Sequence, residues 1–539
     1  MFASAPPRRS AGVPWLEPGH RAARPRRRRR SPLAYLVPLL LLAGAGIVVT
    51  VLVRHGRTVD RQRAAAATYI RAWTARDPQA MWAALDPASR ARYPLARFRA
   101  LQVAADRAAT VQSVRIGRPS GPKGGAVQVP VAVRTQLFGT LRSRVRLPVG
   151  NGGVAWEPSL RLPGLRSGET PRRRTLQLPN RATLQNAAGD PLAGDPVLAP
   201  FAPGLEKRYA ARLNGTPGAE LRFGKRVIAS VPAHAGHSVR STLRRNVQLA
   251  AESALGAKLG GVAVIAPSDG SVLALAGIAV SAPQPPGSTF KIITLSGALA
   301  AGLATPSTTF GVRTSATLSG VRLANANSEA CGGTLTRAFA DSCNSVFAPL
   351  GARLGARRLL ERARAFGFDE TPRVPAAKVS TLGDPAKDLR DDIAVGSAAI
   401  GQNKDLATPL QMASVAAAIG EGGVRARPRV VRSDPVLRRR AVSARVAGQV
   451  RDMMIGVVRS GTGTAAALPG VQVAGKTGTA ELRFTGSGTS SPSNTDAWFV
   501  AFAPAHNPRV AVAVMLVGAG YGGTAAAPIA RKVLAAALR

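Results

Sequence analysis

The sequence predicts an α+β fold built from two parts of unequal size. Residues 58–165 begin with segments whose apolar residues recur at helical spacing, and they continue with strand-like runs. Residues 246–539 begin with a helix and a β-hairpin pattern, continue through Ala- and Leu-rich helical stretches and end with further strands. Strands at both ends with helices between them predict a single sheet assembled from the two ends of a large domain.

The smaller part contains helical segments followed by strand-like segments. Few helix breakers interrupt the first group, and β-branched residues dominate the second. The predicted helices cover residues 60–76, 81–93 and 95–108, and the predicted strands cover residues 110–117, 126–136 and 143–150. Residues 166–245 mix Pro, Gly and Arg with short apolar pieces, which predicts an irregular, partly β connecting region.

The larger part has clearer element patterns. Residues 246–259 predict a helix, and residues 260–277 predict a hairpin whose two β-rich runs are joined by a Pro-Ser-Asp-Gly turn. Near the carboxyl end, residues 496–504 and 508–518 predict strands and residues 527–538 predict a closing helix.

The amino-terminal segment predicts a membrane anchor. Residues 1–31 are rich in Pro and Arg and predict a disordered, cytoplasmic basic tail. Residues 32–53 carry no charge, and about 22 helical residues span the roughly 30 Å of a hydrocarbon core. A cleaved signal peptide is the alternative, but the length of the apolar run favours a transmembrane helix. The preceding arginines predict a cytoplasmic amino terminus, with everything after about residue 54 outside the cell.

The 539-residue chain carries a formal net charge of +45. Such a charge favours polyanions, including nucleic acids, acidic lipid surfaces and anionic wall polymers. No aromatic-interleaved nucleic-acid motif accompanies the arginines, so we do not expect nucleic-acid binding.

A Ser-x-x-Lys pair is the first candidate for catalysis. Ser288 and Lys291 follow a Pro-Pro-Gly break, which predicts a helix start with both side chains on one face. There, a partly buried lysine can lose its proton and act as a base toward the serine. The spacing recurs at Ser120 and Lys123, where an intervening proline and flanking glycines exclude a helix.

Two further short motifs follow in the same domain. Ser342 and Asn344 form a Ser-x-Asn pattern, which alone is no more than a polar helix–loop junction. Residues 476–479 read Lys-Thr-Gly-Thr after a β-rich run, which places a cation and a hydroxyl on a strand. The glycine removes a side chain where a substrate backbone could lie close. A second Thr-Gly-Thr, in residues 460–465, lacks the lysine, and we interpret it as a chance repeat.

Together, in this order, the three motifs resemble the set of penicillin-binding proteins and serine β-lactamases. Residues 246–539 are similar to the transpeptidase domain of class B penicillin-binding proteins, which implies an antiparallel sheet with a helical subdomain. Residues 58–165 are similar to the NTF2-like domain of some class B members. Residues 166–245 would be the pedestal or linker, although its usual signature is reduced to a trace in residues 180–194.

The resemblance implies a role for each motif residue. Ser288 would attack the D-Ala-D-Ala carbonyl, Lys291 would take the serine proton, and Ser342 would relay a proton to the leaving amine. Asn344 would hold the substrate amide and Lys291, and Lys476 would help to depress the pKa of Lys291.

The remaining motif residues would bind substrate. Thr477 and Thr479, on either side of Gly478, would hold the terminal carboxylate, and the backbone N–H groups of Ser288 and Thr479 would form the oxyanion hole.

The resemblance implies a peptidoglycan D,D-transpeptidase that cross-links stem peptides and is inhibited by β-lactams. The alternatives are a D,D-carboxypeptidase or endopeptidase, in which water replaces the acceptor amine, and a penicillin-binding sensor. The partners would be stem peptides, β-lactams, the membrane and a glycosyltransferase of the cell-wall synthesis machinery. Residues 54–163 lack an acidic glycosyltransferase block, which excludes a bifunctional enzyme.

No cofactor or metal is expected. Cys331 and Cys343 fit no zinc pattern, and they are either a free pair or a disulfide bracing the Ser-x-Asn loop. No histidine lies near Cys343 in sequence, which argues against a catalytic cysteine. His234 and His237 lack a neighbouring carboxylate and are expected to be loop residues rather than metal ligands.

Overall fold

The computed structural model describes residues 33–150, 152–482 and 491–539, with the backbone alone for residues 33–48. The predicted basic tail, residues 1–31, lies outside the described residues. Within the described residues the helices are α1 (Leu33–Ala75), α2 (Pro78–Ala83), α3 (Pro87–Arg92), α4 (Leu95–Ala109), α5 (Ala202–Arg208), α6 (Ala210–Asn214), α7 (Arg245–Leu255), α8 (Lys291–Ala300), α9 (Leu335–Ala340), α10 (Asn344–Leu354), α11 (Ala356–Ala365), α12 (Pro385–Asp388), α13 (Asp392–Ala399), α14 (Pro409–Gly420), α15 (Ala444–Ser460), α16 (Gly522–Ala525) and α17 (Ala527–Leu538).

The strands of the same residues, in chain order, are β1 (Val111–Ile116), β2 (Ala126–Thr135), β3 (Thr140–Gly150), β4 (Gly153–Val154), β5 (Pro171–Thr175), β6 (Leu184–Gln185), β7 (Ala219–Phe223), β8 (Arg226–Val231), β9 (Val239–Arg240), β10 (Gly260–Ile265), β11 (Val272–Gly277), β12 (Thr309–Arg313), β13 (Ser315–Leu318), β14 (Val321–Ala324), β15 (Cys331–Thr334), β16 (Val424–Ala426), β17 (Arg438–Arg440), β18 (Ala474–Glu481), β19 (Thr495–Ala503) and β20 (Val510–Leu516).

The chain divides into two compact units. One contains the chain up to Arg174 together with Ala219–Val231, and the other contains Thr175–Gly218 and Pro232–Arg539. Residues 166–245, which the sequence assigns to a connecting region, are therefore shared between the two units. The domain boundaries drawn from the sequence stay predictions.

The first unit packs helices against an antiparallel sheet. The sheet has the order β1-β2-β3-β4. Alternate residues of β2 are buried, as period-2 side-chain alternation requires, and their partners in the same core include Tyr69 of α1 and Phe98 of α4. The predicted strands and the predicted helix over residues 95–108 are confirmed by β1 to β3 and α4. The predicted helix over residues 81–93 is instead two short helices, α2 and α3, because Asp86 caps the start of α3.

Helix α1 differs from the sequence-based expectation. The sequence predicts separate helices over residues 32–53 and 60–76, whereas α1 runs without a break through both segments. Its last turns bury Ala66, Tyr69 and Trp73, whose spacing of three to four residues puts them on one face. Among the residues with described side chains, no helix has the length and apolarity needed to cross a membrane.

The second unit is organised around a five-stranded sheet. Its order is β11-β10-β20-β19-β18, and its neighbouring strands are antiparallel. The hairpin β10–β11 comes from the beginning of residues 246–539 and the other three strands come from their end, which confirms the predicted sheet from two termini. Strand β18, which carries the Lys-Thr-Gly-Thr motif, is an edge strand.

Helices cover both faces of this sheet. Met515 of β20 and Trp498 of β19 belong to the core that holds α8, α10, α14 and α15. The alternate residues Val514 and Phe499 belong to a separate core with α7 and α17. Since successive strand residues point to opposite faces, both faces must be apolar, and β19 and β20 are buried at every position. This packing fixes β18 beside the amino-terminal end of α8.

Candidate active site

The segment bearing Ser288 enters α8 through a tight turn. Gly287–Phe290 form a 3₁₀ turn, and Lys291 is the first residue of α8. The predicted helix start after Pro-Pro-Gly is therefore confirmed, with the refinement that its first turn is 3₁₀. Ser288 lines a cavity, while the side chain of Lys291 is fully buried.

Lys291 is held by groups from the Ser-x-Asn segment. Its Nζ donates to the backbone oxygen of Ser342 at 2.6 Å and to Oδ1 of Asn344 at 2.7 Å. A neutral amine has two hydrogens, so these two acceptors leave its lone pair available to take a proton. No hydrogen bond among the described residues joins Lys291 to the Ser288 hydroxyl, so the expected contact between nucleophile and base is not formed in this structure.

Ser342 lies at the junction of two helices. Helix α9 ends two residues before it, α10 begins at Asn344, and Ser342 has a left-handed φ of 64°. Its Oγ accepts a hydrogen bond from Lys476 Nζ at 2.8 Å and lies 3.4 Å from Lys291 Nζ. The Ser342 hydroxyl thus sits between the two lysine nitrogens, with its own hydrogen free to donate.

Lys476 is the second buried cation. Its Nζ also donates to the backbone oxygen of Thr477 at 3.1 Å and lies 5.4 Å from the centre of the Phe339 ring. Burial lowers the pKa of Lys476 to about 7, and the nearby Asp341 carboxylate partly opposes that change.

The pKa of Lys291 is lowered well below its usual 10.5. Burial is the larger cause and the charge of Lys476 is the smaller one. The sequence-based expectation that Lys476 depresses the pKa of Lys291 is in line with this, but desolvation contributes more. Both effects favour the neutral amine, which is the form that can act as a base.

Threonine hydroxyls line the cavity next to β18. Thr477 and Thr479 both face it. So does Thr462, from the second Thr-Gly-Thr, which was predicted to be a chance repeat. The Thr462 and Thr477 hydroxyl oxygens lie 2.6 Å apart. Sequence reasoning missed Thr462 because the repeat lacks a lysine, and its one available signal was its likeness to the Lys-Thr-Gly-Thr motif.

Gly478 lies where a larger residue would clash with the protein itself. A Cβ at this position would lie 2.9 Å from the backbone oxygen of Pro286 and 2.9 Å from Cβ of Trp498. The glycine lets β18 pack against the segment that precedes Ser288. This packing requires glycine at position 478, and the expectation that Gly478 makes room for a substrate backbone stays a prediction.

The cavity has a volume of about 930 Å³, which is within the usual range for small-ligand sites. Ser288, Ser342, Asn344, Thr477 and Thr479 all line it. Lys291 and Lys476 do not line the cavity but are buried directly behind these residues. The cavity surface therefore presents hydroxyl and amide groups, with the two lysine amines beneath it.

A disulfide borders the site. Cys331 and Cys343 are bonded, with their Cα atoms 5.8 Å apart, and Cys331 lines the cavity. This confirms the disulfide hypothesis and excludes the free pair. Cys343 is the middle residue of Ser-x-Asn, so the bond ties that segment to β15.

The described residues contain no group of His, Cys, Asp and Glu side chains that could hold a metal ion. His234 lies in a loop and pairs through its backbone with Thr216. Its placement fits the loop role predicted for it.

The fold and this site together define a class of protein, the serine acyltransferases. The family model of the penicillin binding protein transpeptidase domain matches residues 260–535. Because that match covers more than half of the chain, the chain belongs to the penicillin-binding protein transpeptidases, and its relatives place it in class B.

Similar proteins come from mycobacteria. Peptidoglycan D,D-transpeptidase PbpA of Mycolicibacterium smegmatis is 36% identical over 415 residues, covering 65% of this chain and 82% of that protein. PbpA of Mycobacterium tuberculosis is 41% identical over 288 residues, covering 48% of this chain and 56% of that protein. The penicillin G acyl-enzyme structure of M. tuberculosis penicillin-binding protein A has a TM-score of 0.57 at 30% identity, covering 67% of this chain and 100% of that chain.

Proposed function

We propose that this protein is a peptidoglycan D,D-transpeptidase that works through an acyl-enzyme on Ser288. The observation that carries the proposal is the pair of buried lysines bracketing the Ser342 hydroxyl, behind a cavity that Ser288 lines. The names of the mycobacterial relatives, and the penicillin G acyl-enzyme of one of them, support the same reaction.

In the first half-reaction, Lys291 takes the proton of Ser288, and the serine Oγ attacks the carbonyl carbon of the penultimate D-Ala. The backbone N–H groups of Ser288 and Thr479 bind the oxyanion that develops. The amide C–N bond then breaks, and the terminal D-Ala leaves after its nitrogen receives a proton through Ser342. The product is an ester between Ser288 and the donor stem peptide.

In the second half-reaction, an amine of another stem peptide attacks this ester. Its proton returns through Ser342 and Lys291, the Ser288 oxygen leaves, and a peptide cross-link forms. A β-lactam enters at the first step, because its amide carbonyl is attacked in the same way. Thr477 and Thr479 bind the carboxylate of either ligand, next to the positive charge that Lys476 carries below about pH 7.

The cellular setting forms part of the proposal. The uncharged run of residues 32–53 after an arginine cluster supports a single membrane anchor with the catalytic unit outside the cell. The α+β content of the first unit supports an NTF2-like domain. A glycosyltransferase would supply the glycan strands whose stem peptides are joined.

A fluorescent penicillin tests the nucleophile. The wild-type protein should become covalently labelled, and Ser288→Ala should abolish labelling because it removes the attacking oxygen. Ser120→Ala is the matched control, since it changes the other Ser-x-x-Lys copy, and it should label normally. Labelling that survives in Ser288→Ala would contradict the mechanism.

A second experiment separates transfer from hydrolysis. The protein is incubated with a stem peptide ending in D-Ala-D-Ala, with and without an amine acceptor. A transpeptidase should form the joined product when the amine is present, whereas release of D-Ala with no joined product would point to a carboxypeptidase.

A further inference from the structure

The second Thr-Gly-Thr segment, between α15 and β18, holds a hydroxyl against the substrate-binding strand. Thr462 Oγ1 lies 2.6 Å from Thr477 Oγ1 and 3.3 Å from the backbone oxygen of Ala340. Ala340 ends α9, which leads directly to Ser342. Thr462 therefore touches both the strand with the Lys-Thr-Gly-Thr motif and the helix that leads to Ser-x-Asn.

The position of Thr462 is fixed by its backbone. Its N–H donates to the Ala340 oxygen at 3.2 Å, and the N–H groups of Gly461 and Gly463 both bond the Val457 oxygen of α15. On the other side, a Cβ at Gly523 would lie 2.4 Å from the backbone oxygen of Thr462, so only glycine lets α16 approach this closely. The backbone of Thr462 is thus fixed on both sides, while its side chain is exposed at the wall of the cavity.

The two hydroxyls can form a chain that points at the cavity. A threonine hydroxyl has one hydrogen to donate. When Thr477, which is 4% exposed, gives its hydrogen to a ligand, its oxygen is free to accept the hydrogen of Thr462. The short distance between the two oxygens favours this bond over the longer one to Ala340, and hydrogen bonds aligned in one direction strengthen each other.

We infer that Thr462 is a positioning residue for carboxylate recognition, which orients the Thr477 hydroxyl and polarises it toward the substrate carboxylate. The inference rests on the proposed function, because it assigns the ligand of Thr477 by that reaction. Thr462 itself exchanges no proton with the substrate, so its effect passes entirely through Thr477.

The test compares benzylpenicillin with its methyl ester, which lacks the carboxylate charge. The rate constant of acylation over the binding constant is measured for wild type, Thr462→Val and Thr462→Ser. Valine keeps the shape and removes the hydroxyl, so the penicillin value should fall about five- to tenfold. The ester value should change less than twofold, and serine should restore the penicillin value to within about twofold of wild type.

The control variant is Thr336→Val, which removes a threonine hydroxyl that bonds the backbone oxygen of Pro306 elsewhere in the same unit. It should leave the preference for acid over ester unchanged. Thr462→Ala serves for the same comparison if the valine variant does not fold.

The outcomes separate the two claims. If wild type reacts with benzylpenicillin but Thr462→Val matches it, or loses reactivity toward acid and ester equally, the positioning role is overturned while the proposed function stands. If wild type reacts with neither compound, the proposed function fails and this inference falls with it.

Discussion

The chain contains two Ser-x-x-Lys segments that fold in opposite ways. Ser120 and Lys123 are exposed and lie on the turn before β2, where the Ser120 hydroxyl bonds the backbone of Gln128. Ser288 lies half-buried at a cavity, and Lys291 is 0% exposed. The same four-residue spacing therefore lies on a hairpin turn in one unit and at a helix start beside a cavity in the other.

The difference indicates that burial, rather than spacing, favours the neutral amine that the proposed base requires. Lysine loses its proton at neutral pH where desolvation or a nearby cation disfavours the charged form. Lys291 has both, because the sheet and helices of the second unit enclose it and Lys476 lies beyond the Ser342 hydroxyl. Lys123, by contrast, is exposed on its turn.

The sharpest way to break this comparison is to remove each lysine amine in turn. Lys291→Met keeps an unbranched, apolar side chain but removes the amine next to the Phe347 ring, so acylation by a chromogenic β-lactam should slow by about 10²- to 10⁴-fold. Lys123→Met should acylate at the wild-type rate. Equal rates in the two variants would show that Lys291 is not the base.

The disulfide provides a second contrast between the two Ser-x-x-Lys segments. It braces the Ser-x-Asn segment that holds Lys291. It closes a loop with a sequence separation of 12, so replacing both Cys331 and Cys343 by serine should lower the free energy of unfolding by about 3 kcal/mol. Chemical denaturation measures this difference. Titration of the unreduced, denatured wild-type protein should find no free thiols, and finding two would contradict the bond.

The pH dependence of acylation tests the lowered pKa values of Lys291 and Lys476. Lys291 must be neutral, and its depressed pKa puts the rising limb of the rate well below the usual lysine range. Lys476 has a lowered pKa of about 7, so its charge is present below about pH 7 and is lost as the pH rises. The ratio of acylation rate to binding constant for benzylpenicillin should therefore fall about tenfold above this pH.

That falling limb should be absent for the benzylpenicillin methyl ester, which has no charge for Lys476 to attract. A limb of the same size with the ester would assign the titration to another step.

The smallest expected effect comes from removing the Asp341 carboxylate, which raises the pKa of Lys476, in opposition to burial. In Asp341→Asn the falling limb should move to a pH about 0.5 lower, since partly exposed pairs contribute little. Glu329→Gln, at another cavity carboxylate, should leave the limb in place. Identical limbs in Asp341→Asn and wild type would remove Asp341 from this account.

Much of the site followed from residue types in order along the chain. The sequence named Ser288, Lys291, Ser342, Asn344 and Lys476, and the folded chain brings these five together around one cavity, while their roles stay proposals. The sequence could not identify Thr462, because its partner, the Thr477 hydroxyl, is 15 residues away and contacts it only in the folded chain. Nor could it explain Gly478, whose neighbour Pro286 is distant in sequence.

The sequence by itself determined the local structures and the family. Apolar periodicity placed the strands and helices, and three short motifs in order identified the transpeptidase, because both signals depend on residues close together along the chain. The tertiary structure decided which Ser-x-x-Lys copy has a buried lysine, where Thr462 lies and why position 478 is glycine. Burial, pKa and close backbone approach depend on atoms that folding brings together from distant parts of the chain, so only the folded chain sets them.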